Sequence, residues 1–85
     1  GYAVGQYFDV SDYKTLNSRF AMLGWNEAPV DAADDEPGQK IYGWQKSKMD
    51  ADGFDRLENG FYITVNDKRI IEKISYAVYN QSVFN

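Results

Sequence analysis

Cysteine and histidine are both missing from this chain of 85 residues. Their absence excludes zinc sites built on these residues, c-type haem attachment, thiol catalysis and every histidine-dependent catalytic triad. Disulfides are excluded as well, so the core alone must hold the fold together. The sequence also lacks any apolar run near the roughly 18 to 20 residues that a membrane-spanning helix needs.

Localisation and extent are only loosely bounded by the sequence. We expect a soluble protein, cytoplasmic or associated with a virion, and a processed secreted form stays open. The chain starts at Gly1 rather than methionine, which leaves a processing site, a domain boundary and an artificial start as alternatives. A chain of this length is expected to form a single domain over residues 1–85.

Aromatic residues make up for a sparse supply of aliphatic ones. The chain carries 7 tyrosines, 5 phenylalanines and 2 tryptophans, and each such side chain can bury roughly 150 to 250 Å². A few of them can therefore fill the core of a small domain. We predict a folded domain whose core is largely aromatic.

The clearest predicted element is a helix that follows residues 2–10, which alternate as a strand covered on both faces. Ser11 is a good N-cap, Asp12 favours the positive end of the helix dipole, and Gly24 suits the left-handed position at a helix end. Between them an apolar stripe recurs at helical spacing at Tyr13, Leu16, Phe20 and Leu23.

Later segments predict a small sheet and leave one element open. Residues 40–46 and 61–65 alternate as strands, and a short helical turn over 51–58 would point Phe54 and Leu57 inward. The adjacent isoleucines in 67–80 favour a helix there, although a fourth strand reached through a turn after residue 66 is an alternative. The predicted fold is α+β: a three- or four-stranded, mainly antiparallel sheet against a helix of the N-terminal half and a C-terminal helix.

Negative charge is concentrated in a predicted surface loop at about 25–38. The net charge of the chain is −4, yet residues 27–36 hold carboxylates and no cation. Such a loop is most simply a solvated segment. If it binds anything, we expect a basic protein partner, and the candidate contact residues are Asp34, Asp35 and Glu36.

A second acidic segment resembles part of a calcium loop. Residues 50–55 include Asp50, Asp52 and Asp55 around a glycine, but Lys48 and Asn59 stand where the first and last ligands of such a loop belong. We therefore interpret Asp50 or Asp52 as a helix cap and predict no metal and no cofactor. A hydrolase or metal protein that works through carboxylates is the weakest of three functional hypotheses.

The third feature is a basic strand with aromatic residues. In an extended chain, alternate side chains share a face, and here these are Lys40, Tyr42, Trp44, Lys46 and Lys48. Aromatic rings flanked by cations on a sheet can bind single-stranded nucleic acid by stacking and phosphate contact. The alternative is that the rings cover the helix and the lysines reach water at the rim.

The surviving features favour a binding protein over an enzyme. No catalytic constellation remains, while we expect exposed aromatic surface that includes Tyr62, Tyr76 and Tyr79. Our leading hypothesis is a small acidic, non-enzymatic protein-binding module or inhibitor that occupies a surface on another protein. A single-stranded nucleic-acid binder is the alternative, counted against by the negative net charge. The sequence does not determine the oligomeric state.

Overall fold

One helix and four strands make up residues 2–28 and 38–79, the part of the chain that the structure, a computed structural model, describes. The strands form one antiparallel sheet in the order β1-β2-β3-β4. In chain order the elements are α1 (Val10–Met22), β1 (Asn26–Glu27), β2 (Gln39–Met49), β3 (Asp55–Asn66) and β4 (Ile71–Val78). The α+β class is confirmed, but a strand occupies residues 71–78, where a C-terminal helix was favoured.

The start of α1 is fixed by a capping box rather than by the predicted cap at Ser11. The Asp9 carboxylate accepts a hydrogen bond from the Asp12 backbone N–H at 2.9 Å, and the Asp12 carboxylate accepts one from the Asp9 N–H at 3.0 Å. These contacts satisfy donors that the first helical turn leaves free. The Ser11 hydroxyl instead donates to Asp9, and this bond, followed by that from the Asp12 N–H, lowers the pKa of the Asp9 carboxyl.

The end of α1 follows the sequence in one respect and departs from it in another. Gly24 has φ +85°, the left-handed conformation expected of the residue that ends a helix. Leu23, predicted to be the last residue of the buried stripe, is 66% exposed because the helix ends at Met22.

Residues 2–9 do not form the predicted strand. They touch β4 at an isolated bridge between Tyr7 and Ile70, and the Gly5 N–H donates to the Ile71 carbonyl at 2.8 Å. Gly5 has φ +93°, a turn conformation that interrupts an extended chain. The segment folds back far enough to bury Phe8 completely, but Val4, Tyr7 and Val10 are each more than half exposed, so the apolar alternation predicted neither a strand nor most of the burial.

The core lies between α1 and one face of the sheet and is largely aromatic, as predicted. Phe20 of α1 lies with its ring centroid 5.0 Å from that of Trp44 and 5.5 Å from that of Phe61. Phe61, Ile63 and Val65 of β3 share the face that points at the helix, as their spacing predicts. The completely or almost completely buried side chains are Phe8, Trp44, Ile63, Val65 and Ile71.

A tight turn and a bulge explain why a strand follows β3 at residues 71–78. The Asn66 side-chain oxygen accepts from the Lys68 and Ile70 N–H groups at 2.9 and 3.0 Å, which closes the turn between β3 and β4. Val65 pairs with Ile71 and Thr64 with Lys73, so Glu72 is an extra residue in β4. The extra residue lets Ile71 and Ile74, three positions apart, both pack on the core, and that spacing resembles a helix in the sequence.

Candidate functional site

The five alternating residues of β2 do share one face of the strand, but α1 covers the middle of that face. Trp44 is fully buried, and its indole Nε1 donates to the Asn17 side-chain oxygen at 3.1 Å. A partner cannot reach this ring while α1 is in place, so Trp44 is a core residue rather than a contact residue. Trp44 is therefore not available as the central stacking ring of the proposed nucleic-acid surface.

Tyr42 and Lys40 lie on the same face of β2, near the start of the strand. The Tyr42 ring is half-buried, and its centroid is 5.2 Å from those of Phe8 and Tyr13. Its hydroxyl accepts a hydrogen bond from the Arg69 guanidinium at 3.2 Å, and the Lys40 ammonium lies 5.4 Å from its ring centroid. Contacts within the fold therefore occupy most of this tyrosine.

A cleft of about 430 Å³ opens beside Lys40. Within it the Tyr13 hydroxyl donates to the Glu27 carboxylate, and this bond is the main cause that raises the pKa of Tyr13. The Glu27 carboxylate is thus already engaged by a neutral phenol. The lining residues are Tyr13, Glu27, Ala28, Lys40, Ile41, Tyr42 and Gly43.

Tyr62 lies on the face of the sheet opposite to the one that carries Lys40, Lys46 and Lys48. It pairs with Gly43 of β2, and its ring lies across Gly43 and Gly60, where a Cβ atom would come within 2.6 and 2.8 Å of ring carbons. Its hydroxyl accepts from the Gln45 amide at 2.9 Å and lies 3.5 Å from the Tyr79 hydroxyl. Tyr62 and Tyr79 are half-buried, whereas Tyr76 is 62% exposed, as expected.

The far end of the β2–β3 hairpin is the most exposed part of the described chain. We call residues 46–58 the hairpin finger. Within it every residue from Lys48 to Leu57 is exposed except the half-buried Asp50. The strands stay paired here, with Ser47 opposite Leu57 and a register shift next to Lys46. The finger is thus a hydrogen-bonded structure that extends past the packed core.

The tip of the hairpin finger is a five-residue turn, not the predicted helical turn. The Asp50 N–H donates to the Phe54 carbonyl at 2.9 Å, the Gly53 N–H donates to the Asp50 carbonyl at 3.1 Å, and Gly53 has φ +85°. This is the three-residue hairpin loop in which a type I turn is followed by a left-handed glycine. An aspartate three positions before a glycine was the available sequence signal.

The Asp50 side chain holds the turn together. Its carboxylate accepts from the backbone N–H groups of Asp52 and Phe54 at 2.9 and 3.1 Å and forms an ion pair with the Arg56 guanidinium. The hydrogen bond from Arg56, followed by that from Phe54, lowers the pKa of the Asp50 carboxyl. Asp50 was interpreted as a helix cap; it does bind backbone N–H groups, but those of a hairpin turn.

The two faces of the hairpin finger differ in chemistry. Cα partners in an antiparallel ladder point to the same face, so Lys48 and Arg56 share one face, on which Lys46 also lies by alternation. Leu57 and Met49 lie on the other face. Sequence reasoning found Lys46 and Lys48 but missed Arg56, which only the register of the hairpin brings beside them.

Apolar side chains at the tip are exposed rather than inward. Phe54 is 69% exposed, Met49 63% and Leu57 36%; both Phe54 and Leu57 were predicted to point into the core. A cleft of about 400 Å³ lies at the base of the tip. Its lining residues are Lys48, Met49, Asp50, Ala51, Arg56 and Glu58.

Replacing Asp50 should loosen the hairpin finger without unfolding the domain. In Asp50→Ala the acceptor for two N–H groups and the partner of Arg56 are lost, so amide exchange at Asp52 and Phe54 should accelerate several-fold while exchange at Ile63 stays unchanged. Hydrogen exchange read by NMR checks this. Asp52→Ala is the matched control, and equal acceleration in it would contradict the assigned role.

Lowering the pH should have the same local effect. The pKa of Asp50 is lowered in the folded state, so its contribution is fully present above the ordinary aspartate pKa of about 3.9 and is lost as the pH falls through the lower folded value. We expect the turn to be intact at pH 5 and above.

The remaining predicted residues and sites can be placed briefly. Asp34, Asp35 and Glu36 lie outside the described residues. Within residues 2–28 and 38–79, no group of three or more carboxylates is arranged to hold a metal ion. The helix in these same ranges is too short and too polar to cross a membrane.

Comparison of the chain with protein-family models, with curated proteins and with solved structures finds no match in any of the three.

Proposed function

We propose that this chain is a small acidic, non-enzymatic protein-binding module or inhibitor that inserts its hairpin finger into a surface of another protein. The observation that carries the proposal is the exposure of Met49, at the end of β2, and Phe54, at the end of the turn, each more than 60%, beside an Asp50 side chain that bonds the turn backbone. The exposed part of these side chains adds no hydrophobic stabilisation to the monomer. Their burial against a partner would contribute roughly 1.5 to 3 kcal/mol for each fully covered side chain.

A rigid tip is well suited to binding. Ordering a loop or a long side chain on association costs about 0.5 to 1.5 kcal/mol per immobilised group. In the hairpin finger, the hydrogen bonds of Asp50 and the ladder between β2 and β3 already order the backbone in the free protein. Only side chains then need to be ordered on binding. Phe54, at the end of the turn, is the expected anchor, because a few aromatic residues commonly carry most of the energy of an interface.

Charge on the hairpin finger indicates the chemistry of the partner. Lys46 and Lys48 lie on one face, and Arg56 lies next to Lys48 with its charge paired to Asp50. With Asp52, Asp55 and Glu58 included, the finger has a net charge of −1. A complementary surface has an apolar pocket for Phe54 and a carboxylate that faces Lys46 and Lys48. Association with such a surface should slow as salt rises, because exposed charges are screened beyond about 8 to 10 Å at physiological ionic strength.

Polar substitution of the tip should abolish capture of the partner. We expect Met49→Ser combined with Phe54→Ser to weaken binding by at least about tenfold, and Phe54→Ser alone to account for most of the loss. The measurement is affinity capture by the 85-residue chain at micromolar concentration from a lysate of the encoding organism, followed by titration calorimetry with the captured protein.

The chain offers a matched control at its other end. Val4 and Tyr7 are 63% and 54% exposed and lie in the segment that contacts Ile70 and Ile71, at the end of the sheet opposite the finger, so Val4→Ser combined with Tyr7→Ser removes comparable apolar surface away from the hairpin finger. This control should bind like the wild type. A partner that both double variants retain equally, or no captured protein at all, would contradict the proposal.

A further inference from the structure

β4 is an edge strand, the last in the order of the described sheet. In a strand, the N–H and C=O groups of successive residues point to alternate sides. The Tyr79 N–H donates inward, to the Glu58 carbonyl of β3, at 3.0 Å. Ala77, Ser75 and Lys73, two, four and six positions earlier, therefore also face β3, whereas Ile74, Tyr76 and Val78 direct their backbone groups away from β3, at the edge of the sheet.

The N-terminal segment occupies only the first part of this edge. The Ile71 carbonyl accepts from the Gly5 N–H at 2.8 Å, and the Ile71 N–H donates to the Gln6 carbonyl at 2.9 Å. The bulge at Glu72 then separates this closed part from the rest of the strand. Among the described residues none bridges to Ile74, Tyr76 or Val78 on the outer side.

The open part of the edge lacks the features that usually prevent association. Edge strands of monomeric proteins carry charged residues, proline or bulges that block pairing with another strand. Residues 74–78 contain none of these. They also expose apolar surface, with Tyr76 62% and Val78 71% accessible.

We infer that the partner of this edge is a second copy of the chain, which pairs its own β4 antiparallel to the first about a two-fold axis at Tyr76. This register pairs all three outward-facing residues, with Tyr76 opposite Tyr76 and Ile74 opposite Val78 of the second copy. It forms about six backbone hydrogen bonds. The register centred at Ser75 places Val78 opposite the bulge residue Glu72, and the register centred at Ala77 places Ile74 opposite residue 80, outside the described residues.

Side chains on both faces are compatible with this register. On the face that carries Tyr76, apolar side chains meet apolar side chains. On the other face, Ser75 stands opposite Ala77, and Lys73 stands opposite Tyr79, an aromatic side chain that can accept a cation. No two like charges are placed directly opposite each other, the arrangement that destabilises a strand pair.

Two consequences follow for the assembly. The two four-stranded sheets become one continuous sheet, and because the two β4 strands are antiparallel, the two hairpin fingers point to opposite ends. The contact is short, well below the roughly 1,200 Å² that specific stable complexes bury, so we expect a dissociation constant on the order of tens of micromolar.

Sedimentation of the full chain over a range of concentrations tests the proposal. We expect a monomer–dimer equilibrium in the micromolar range, at least a tenfold weaker dimer in Tyr76→Lys, and an unchanged dimer in Met49→Lys, a control with a similarly exposed side chain. Circular dichroism should show the same fold in all three proteins. A monomer at hundreds of micromolar, or a dimer that Tyr76→Lys leaves intact, would overturn the inference.

The register is tested separately with introduced cysteines, which is simple because the natural chain has none. Ser75 and Ala77 form a non-hydrogen-bonded pair in the proposed register, with Cα atoms about 4.5 Å apart, close enough for a disulfide. An equimolar mixture of Ser75→Cys and Ala77→Cys should therefore oxidise mainly to the mixed dimer. Predominant crosslinking of either variant with itself would contradict the two-fold axis at Tyr76.

Discussion

Trp44→Ala should remove a large part of the stability of the domain. The Trp44 side chain is completely buried between Phe20 of α1 and Phe61 of β3. Truncating a buried tryptophan to alanine typically costs 3 to 5 kcal/mol. A chain of this length is expected to have about 4 to 13 kcal/mol of stability in total, so the melting temperature should fall by roughly 15 to 30 °C.

The hydrogen bond of Trp44 can be separated from its packing. Trp44→Phe keeps a ring in the core but leaves the half-buried Asn17 oxygen without its indole donor, which should cost about 1 to 3 kcal/mol. Adding Asn17→Ala to Trp44→Phe should recover part of that loss, because the unpaired acceptor is then removed. Urea unfolding followed by circular dichroism measures both effects.

Trp25→Phe is the matched control for the tryptophan. Trp25 is half-buried and contacts Phe20 at 5.0 Å between ring centroids, so this substitution should cost less than any change at Trp44. It also leaves Trp44 as the sole indole, and its emission should be blue-shifted and poorly quenched by acrylamide. A solvent-accessible Trp44 in this variant would contradict its place in the core and restore support for nucleic-acid stacking.

Much of the core could be predicted because its residues follow either the two-residue alternation of a strand or the spacing of a helix within a single element. Phe61, Ile63 and Val65 alternate within β3, and Tyr13 and Phe20 recur at helical spacing on α1. In these segments, burial and secondary structure impose the same pattern. Residues 2–9 and 67–78 depart from it, since a turn at Gly5 and a bulge at Glu72 bring apolar side chains to the core without a regular period.

The candidate site was harder to predict because one face of β2 is covered by α1 at Trp44 and exposed to solvent at Lys48. A helix of 13 residues is about 20 Å long, whereas a strand of 11 residues spans about 36 Å. The helix can therefore cover Trp44 but not the whole strand, and periodicity does not show where that cover ends. The spacing of Phe54 and Leu57 misled because Phe54 ends the turn and Leu57 lies in β3, and residues three positions apart in an extended chain point to opposite faces.

The sheet face opposite α1 depends on two glycines, and this dependence predicts the second large effect. A Cβ atom added at Gly43 would lie 2.6 Å from Cδ1 of Tyr62 and 3.2 Å from Cβ of Ala28. Cβ atoms do not tolerate a contact under 3.0 Å, so the ring must move. The hydrogen bond that the Tyr62 hydroxyl accepts from Gln45 at 2.9 Å opposes that movement. Gly43→Ala should thus destabilise the domain by about 1 to 3 kcal/mol.

A double-mutant cycle with Tyr62 tests this cause. In a Tyr62→Ala background, the ring that Gly43→Ala displaces is absent, so Gly43→Ala should become nearly neutral, or slightly stabilising because alanine loses less conformational entropy on folding than glycine. The expected coupling is about 1 to 3 kcal/mol. Tyr76→Ala is the control, because Tyr76 pairs with Phe61 and lies on the other face. Additive losses with Tyr62 would show that the cost at Gly43 comes from the backbone or from Ala28 rather than from the tyrosine ring.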